Sequence, residues 1–309
     1  MSNAAAIPGT APASERVRAF YAPVQRDNGT PTPFDPATQG RFSVDAPPTG
    51  WIDLGWVHDF KRVSETKVET LQSGAPLLVR GQTRKQAGAE VSLSFDTWGK
   101  LQMGISGGAQ AMNLLPAANA VSLSSGCTAT SLVVADASGF ATGDLVAVDA
   151  DYAGQTGYVG AGVSGAFVKS SDAVANDPQY LRRITYNVGR VVSISANTLT
   201  LAAPLLAGVP DTTMKATKIV GFLDREGGSF FHEWSALFVV DGVQGDRVLY
   251  HYPRLQIAEG AAEEAIPLTS PLTMWRLAAR FRALPVVDAN DGEQALCFRS
   301  YLPAAMRQT

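Results

Sequence analysis

The chain has 309 residues, of which 46% are hydrophobic and 17% are charged, and its formal net charge is −3. This length and hydrophobic content suffice for two folded domains or one large one. The charged fraction lies below the roughly 25% of an average soluble domain, which indicates that part of the surface is covered in an assembly. The slightly negative charge argues against a protein that grips a nucleic-acid backbone, because that task concentrates Lys and Arg.

Residues 1–50 predict an N-terminal arm. The chain starts without the basic and apolar pattern of a signal peptide, and no stretch of 18 apolar residues predicts a transmembrane helix. Residues 16–22 alternate between apolar and polar side chains and predict one edge strand. Residues 23–50 contain six prolines, which lack a backbone donor. We therefore expect an extended segment that becomes ordered against a neighbouring subunit.

Residues 51–119 predict the first half of a β domain that an insertion interrupts. Two strands are expected at 51–57 and 60–71, followed by a projecting loop and a strand with clean alternation at 89–95. The period then changes, and Asp96 is expected to cap a helix over residues 98–105 that ends at Gly107 and Gly108. The helical spacing is carried by Trp98, Leu101 and Ile105.

Residues 120–214 predict a small inserted β domain, either an SH3-like barrel or an immunoglobulin-like fold. Short apolar runs alternate with turn residues such as Gly143-Asp144 and Ala196-Asn197. We expect the insertion on the outside of any tube that the chain builds, because a domain of this size would block a channel. The predicted strands begin at Val121, Ser131, Asp144, Arg190 and Thr198.

Residues 215–309 predict the second half of the interrupted domain. Strands are expected at 231–241 and 247–255, with a turn at Gly245-Asp246 between them. A polar connector then leads to a closing strand at 273–283. On that strand Trp275, Leu277, Ala279 and Phe281 share one face, and Arg276, Arg280 and Arg282 share the other. We expect these arginines to pair across an interface with acids such as Glu263 and Glu264 of the connector, which also contains Glu259.

No catalytic, cofactor-binding or metal-binding residue is predicted, and the chain is not expected to be an enzyme. Adjacent residues on a strand point to opposite faces, so His58-Asp59 and His232-Glu233 are not ready acid–base pairs, and His251 stands alone. The acids Asp224, Glu226 and Glu233 lack the spacing of a calcium loop.

Two further motifs are also interpreted as structural. Residues 160–165 match the dinucleotide fingerprint, but no strand precedes them and no helical pattern follows them, which favours a loop. Cys127 and Cys297 are far apart in sequence, and we expect both to be reduced, buried residues.

The order of these elements resembles the tail tube (major tail) proteins of bacteriophages. The resemblance is carried by residues 50–57, by the charged stretch 61–71 and by the strand 91–95 leading into the helix. In the second half it is carried by the strands 231–241, 247–255 and 273–283. The family implies a mainly β fold, a tail-tube-like β-sandwich or barrel with one flanking α-helix, here with an inserted β domain.

The resemblance also implies a function in the virion. Family members form hexameric rings that stack into a hollow tube for DNA ejection, and the tail is assembled in the host cytoplasm. By position, the arm 14–48 and the loop 64–89 would make the contacts between rings. Tape measure, terminator and baseplate proteins would be further partners, and no membrane is expected. A mildly acidic lumen would let DNA pass without specific binding.

Other functions stay open at this point. Within the same class, the chain could be a tail terminator or a head-decoration protein. From another class, it could be a β-rich carbohydrate-binding or receptor-binding module, with Tyr152, Tyr158 and Phe167 of the insertion as an aromatic platform. An enzyme with an unrecognised site is a third possibility.

Overall fold

The protein is described from a computed structural model, which covers residues 16–24, 29–108, 110–114, 120–150, 187–225, 233–269 and 272–304. The prediction of a mainly β fold is confirmed. Two helices accompany the strands, α1 (Pro36–Gln39) and α2 (Lys100–Gly107). The strands are β1 (Val17–Pro23), β2 (Ile52–Ser73), β3 (Leu78–Phe95), β4 (Gln110–Leu114), β5 (Val121–Ser122), β6 (Ser131–Val133), β7 (Leu145–Ala150), β8 (Val188–Ser195), β9 (Thr198–Leu201), β10 (Met214–Ile219), β11 (Gly221–Arg225), β12 (Glu233–Asp241), β13 (Arg247–Thr269), β14 (Leu272–Ala283), β15 (Val286–Val287), β16 (Gln294–Ala295) and β17 (Phe298–Leu302).

The main sheet closes on itself. Its strand order is β12-β1-β2-β3-β14-β13-β17, and an additional pairing joins β12 to β13. Six of these strands therefore form an antiparallel ring, which we call the barrel domain, and β17 extends it along the first part of β13. The interior is filled by aromatic and aliphatic side chains, among which Tyr21, Phe238 and Phe281 are fully buried. This burial is the main driving force for closing the sheet.

The expected edge strand at residues 16–22 is wrong, because β1 lies inside the sheet. Its register runs from Val17, opposite Val240 of β12 and Val57 of β2, to Pro23, opposite Trp234. Both faces of β1 are buried: Tyr21 faces the interior, while Phe20 packs in a separate outer cluster. The alternation of apolar and polar residues in a single strand does not show whether a second strand pairs on each of its sides. An internal strand such as β1 can therefore have the same pattern as an edge strand.

The described part of the predicted arm packs against the outside of the barrel domain. Phe34 and Phe42 cover Phe20 and Trp51, with ring centroids 5.2 to 5.9 Å apart for the pairs Phe20–Phe42 and Phe34–Trp51. Arg247 holds the same segment by donating to the carbonyl oxygens of Gly40 at 3.1 Å and Phe42 at 2.7 Å. Residues 29–50 are thus a folded layer of the domain and not a free extension.

The segment 64–89, expected as a loop, consists of two paired strands. β2 runs without a break through the two strands predicted at 51–57 and 60–71, and it pairs with β3 as far as Ser73 and Leu78. Likewise, the expected polar connector with Glu259, Glu263 and Glu264 belongs to the long strand β13. Cross-strand partners on the other strand of each hairpin stabilise these polar stretches, and the polarity of one strand alone does not reveal them.

The helix α2 begins later than predicted, and a different residue caps it. Gly99 is its N-cap, and its backbone N–H donates to the side chain of Gln102 at 3.1 Å, whereas Asp96 contacts His58 instead. The predicted end is confirmed, because Gly108 adopts a left-handed conformation (φ 59°) and its N–H bonds back to the last turn. A second, single-turn helix was not predicted; Asp35 caps it.

The insertion forms its own domain with its own core. Six strands in the order β5-β10-β7-β8-β9-β6 surround buried Leu132, Val146, Leu199 and Ala216. A bridge between Leu123 and Val134 connects the two ends of this sheet. All five predicted strands are present, but the boundary at 214 is wrong, because β10 pairs with β7 and β5. The domain therefore continues to Ile219, and the pair β4–β11 joins it to the barrel domain.

Candidate interaction surfaces

Two long hairpins extend from one four-stranded part of the barrel domain. β14 pairs with β3 from Leu277–Phe95 to Arg282–Glu90. From this shared segment the β2–β3 hairpin continues past Glu90, and the β13–β14 hairpin continues past Leu277. Since the two continuations follow opposite directions along the strands, the hairpins project from opposite ends of the same sheet.

Each hairpin leaves one strand edge unpaired within the described chain. On β2, pairing with β1 ends at Val57, so β3 is the only partner of residues 58–73 in the part of the chain that the structure describes. On β13, pairing with β12 ends at Gln256, so among the same residues 257–269 pair only with β14. Free N–H and C=O groups along such edges are a template for pairing with another chain.

Apolar side chains are exposed along the β2–β3 hairpin. Leu77 at its tip is 69% exposed, and more than half of the surface of Val68, Leu71, Leu78 and Val79 is also accessible. On the other hairpin Trp275 is 54% exposed, although it shares one face of β14 with Leu277 as predicted from the alternation. Leu277, Ala279 and Phe281 of that face are buried. Concentrated exposed apolar surface of this kind marks an interaction site.

The face of the four long strands that points away from the core carries charges of both signs. Glu90 of β3 lies between two arginines of β14: it accepts from Arg280 Nε at 2.9 Å and from Arg282 at 2.8 Å. Arg280 also donates to Glu259 of β13 at 2.6 Å. The hydrogen bonds from Arg282 and Arg280 lower the pKa of Glu90, and the bond to Glu90 raises the pKa of Arg280.

These contacts correct the predicted partners of the arginines. Glu90 and Glu259 of the same chain take the place of Glu263 and Glu264 for Arg280 and Arg282. The nearest acid of Arg276 is Asp59, with 3.7 Å between Nη1 and Oδ2.

A cavity of about 810 Å³ lies where residues 29–34 and 285–290 meet the start of β13. Its wall includes Phe34, Phe298 and His251, whose side chain is only 9% exposed. The imidazole packs 5.7 Å from the ring of Trp51 and 5.8 Å from that of Phe34, and its Nε2 has no hydrogen-bond partner among the described residues. Burial lowers the pKa of His251 to about 4, so the ring is neutral near pH 7.

The other residues that the sequence analysis considered as site candidates have different neighbours from those expected of a catalytic pair. His58 contacts Asp96 and does not pair with Asp59. Glu233 accepts from Arg254 at 2.8 Å and from Gln256 at 2.9 Å. Both cysteines are unpaired thiols and partly buried, and burial raises the pKa of Cys297.

Some sequence-based candidates lie outside the described residues: His232, Glu226, residues 160–165, Tyr152, Tyr158 and Phe167. Within the described part of the chain, no group of three or more His, Cys, Asp or Glu could hold a metal ion. The helices of that part also include none that is long and apolar enough to span a membrane.

Comparisons with protein-family models and with curated proteins identify no relative of the chain. No protein-family model matches the chain, and no curated protein matches it significantly.

Proposed function

We propose that the chain is a virion protein, the repeating subunit of a bacteriophage tail tube. The observation that carries this proposal is a pair of strand edges, one on β2 and one on β13, that have no partner among the described residues and lie at opposite sides of one four-stranded sheet. An edge on each side allows copies to join head to tail. Such heterologous contacts close into a ring when the rotation between copies is suitable.

Joining the edges would satisfy the free backbone groups. Residues 58–73 of one copy would lie beside residues 257–269 of the next, and the four strands of each copy would become part of one continuous barrel around a channel. This removes the exposed edges that otherwise favour aggregation. The hexameric count of the ring rests on the family resemblance.

The hairpin tips would then lie at the two ends of each ring. The exposed Leu77, Leu78 and Val79 are suited to contacts between stacked rings. Of the two segments expected to link rings, 64–89 projects from the domain. In the segment 14–48, β1 lies inside the main sheet and residues 29–48 are held on the domain surface. Contacts with tape measure, terminator and baseplate proteins remain predictions, as does the outward position of the inserted domain.

A shortened hairpin tests the proposal. Replacing residues 66–87 by Asn-Gly would join the facing pair Glu65 and Gly88 by a two-residue turn. The removed side chains are almost all exposed, so the barrel domain should still fold. Negative-stain microscopy should show rings or tubes for the unaltered chain and monomers for the shortened variant.

Removal of the inserted domain is the matched control. Leu114 and Gly221 face each other in the β4–β11 pair, so a short turn can replace residues 115–220. This larger deletion should leave rings and tubes intact, because it touches neither free edge. A chain that stays monomeric at high concentration would refute the tube, and rings formed by the shortened hairpin would refute the role of the β2 edge.

A binding module is the second candidate function, and the cavity beside His251 favours it. Its volume of about 810 Å³ is within the range of ligand sites, and aromatic side chains form part of its wall. Glycan-array binding by the monomer, lost when Phe298 is replaced by Ala, would support this alternative.

A further inference from the structure

The charged cluster on the outward face of β3, β13 and β14 has no net charge. It contains Arg280 and Arg282, both of which contact Glu90, and Glu259, which contacts Arg280. The two guanidinium groups are accessible, with 45% and 65% of their side chains exposed, whereas Glu90 between them is 21% exposed. A carboxylate thus occupies the inner side of two arginines; without it Arg282 would face solvent as a free cation, while Arg280 would keep Glu259.

Basic and acidic side chains also lie close together elsewhere on the same face. Register places Lys61 beside Ser92 and places Glu264 beside Arg276, and Asp59 contacts Arg276. The face therefore carries basic and acidic groups side by side.

We propose that Glu90 masks Arg280 and Arg282, so that this face meets a DNA phosphate backbone without binding it. The inference rests on the proposed function, in which this face lines the channel. Binding of a cationic surface to DNA gains its strength from the release of counterions, in proportion to the phosphates that are neutralised. Arginines that are already paired with carboxylates neutralise few phosphates and therefore release few counterions. Because a ring repeats the cluster in every copy, unmasked arginines would hold the DNA at many points.

The test compares Glu90→Gln with Glu293→Gln, which changes the net charge equally. Glu293 lies in the turn before β16, and its side chain makes no ion pair in the described chain. Binding of a labelled 20-base-pair DNA duplex to the full-length monomer is measured by fluorescence anisotropy over a range of salt concentrations. Glu90→Gln should bind more tightly than the other two proteins, and its plot of log K against log salt should be steeper by roughly 1, since one guanidinium is freed.

A double variant separates unmasking from misfolding. Adding Arg282→Gln to Glu90→Gln should return the affinity towards that of the unaltered protein, because the freed guanidinium is gone. Equal binding by Glu90→Gln and Glu293→Gln would overturn the proposal, as would tight binding by the unaltered protein. The assay needs no rings, so its failure leaves the tube proposal standing, and a failure to form tubes leaves the masking result valid.

Discussion

Protonation of His251 should make the stability of the barrel domain depend on pH. The ring is buried against Trp51, Phe34 and Phe298, and burial lowers its pKa from 6.5 to about 4. In the unfolded chain the imidazole binds a proton below about pH 6.5. The unfolded state thus binds more protons between these values, and stability is lost as the pH falls through this range.

The magnitude follows from the two pKa values. Each unit corresponds to about 1.4 kcal/mol, so the free energy of unfolding should fall by about 2 kcal/mol between pH 7.5 and pH 5, and by about 3 kcal/mol at pH 4. Above pH 6.5 the contribution is constant. His251→Leu retains an apolar side chain in this site and cannot titrate, so its stability should fall less over the same range.

Guanidinium unfolding followed by tryptophan fluorescence measures this loss. All five tryptophans lie outside residues 120–219, so the signal reports the barrel domain alone. Carboxylates titrate in both the original chain and His251→Leu, so their contribution to the pH dependence of stability cancels when the two proteins are compared. Parallel loss of stability in the original chain and in His251→Leu would refute the reasoning, since the buried imidazole would then not be the group responsible.

Two further substitutions test the core of the barrel domain. Gly108→Ala should destabilise it by about 1 to 2 kcal/mol, because the residue has a φ of 59° and its new Cβ would lie 2.4 Å from Cγ2 of Ile257. Gly81→Ala is the control, since a Cβ at Gly81 would have no atom within 4 Å. Its effect on denaturant unfolding should be nearly neutral. Phe281→Ala should cost about 3 to 5 kcal/mol through the cavity left beside Tyr21, and a loss under 1 kcal/mol in the same measurement would contradict this packing.

The sequence predicted the elements whose signals are local. Alternation at residues 89–95 and 273–283 identified two strands that the structure contains. Gly108 identified the end of α2, because the C-cap residue adopts a left-handed conformation that glycine reaches without steric strain. Five of the six strands of the inserted domain followed from short apolar runs between turns.

Tertiary structure decided which strands are internal and which polar stretches are strands. β1 has the pattern of an edge strand but lies between β12 and β2, and residues 257–269 have the polarity of a connector but pair with β14. The β12 partner of β1 lies far away in the chain, and the β14 partner of residues 257–269 follows a turn, so the pattern of either stretch alone does not identify its neighbour. The same holds for Glu90, whose arginine partners lie 190 and 192 residues away. Composition alone could count these charges, but only the folded sheet brings them together.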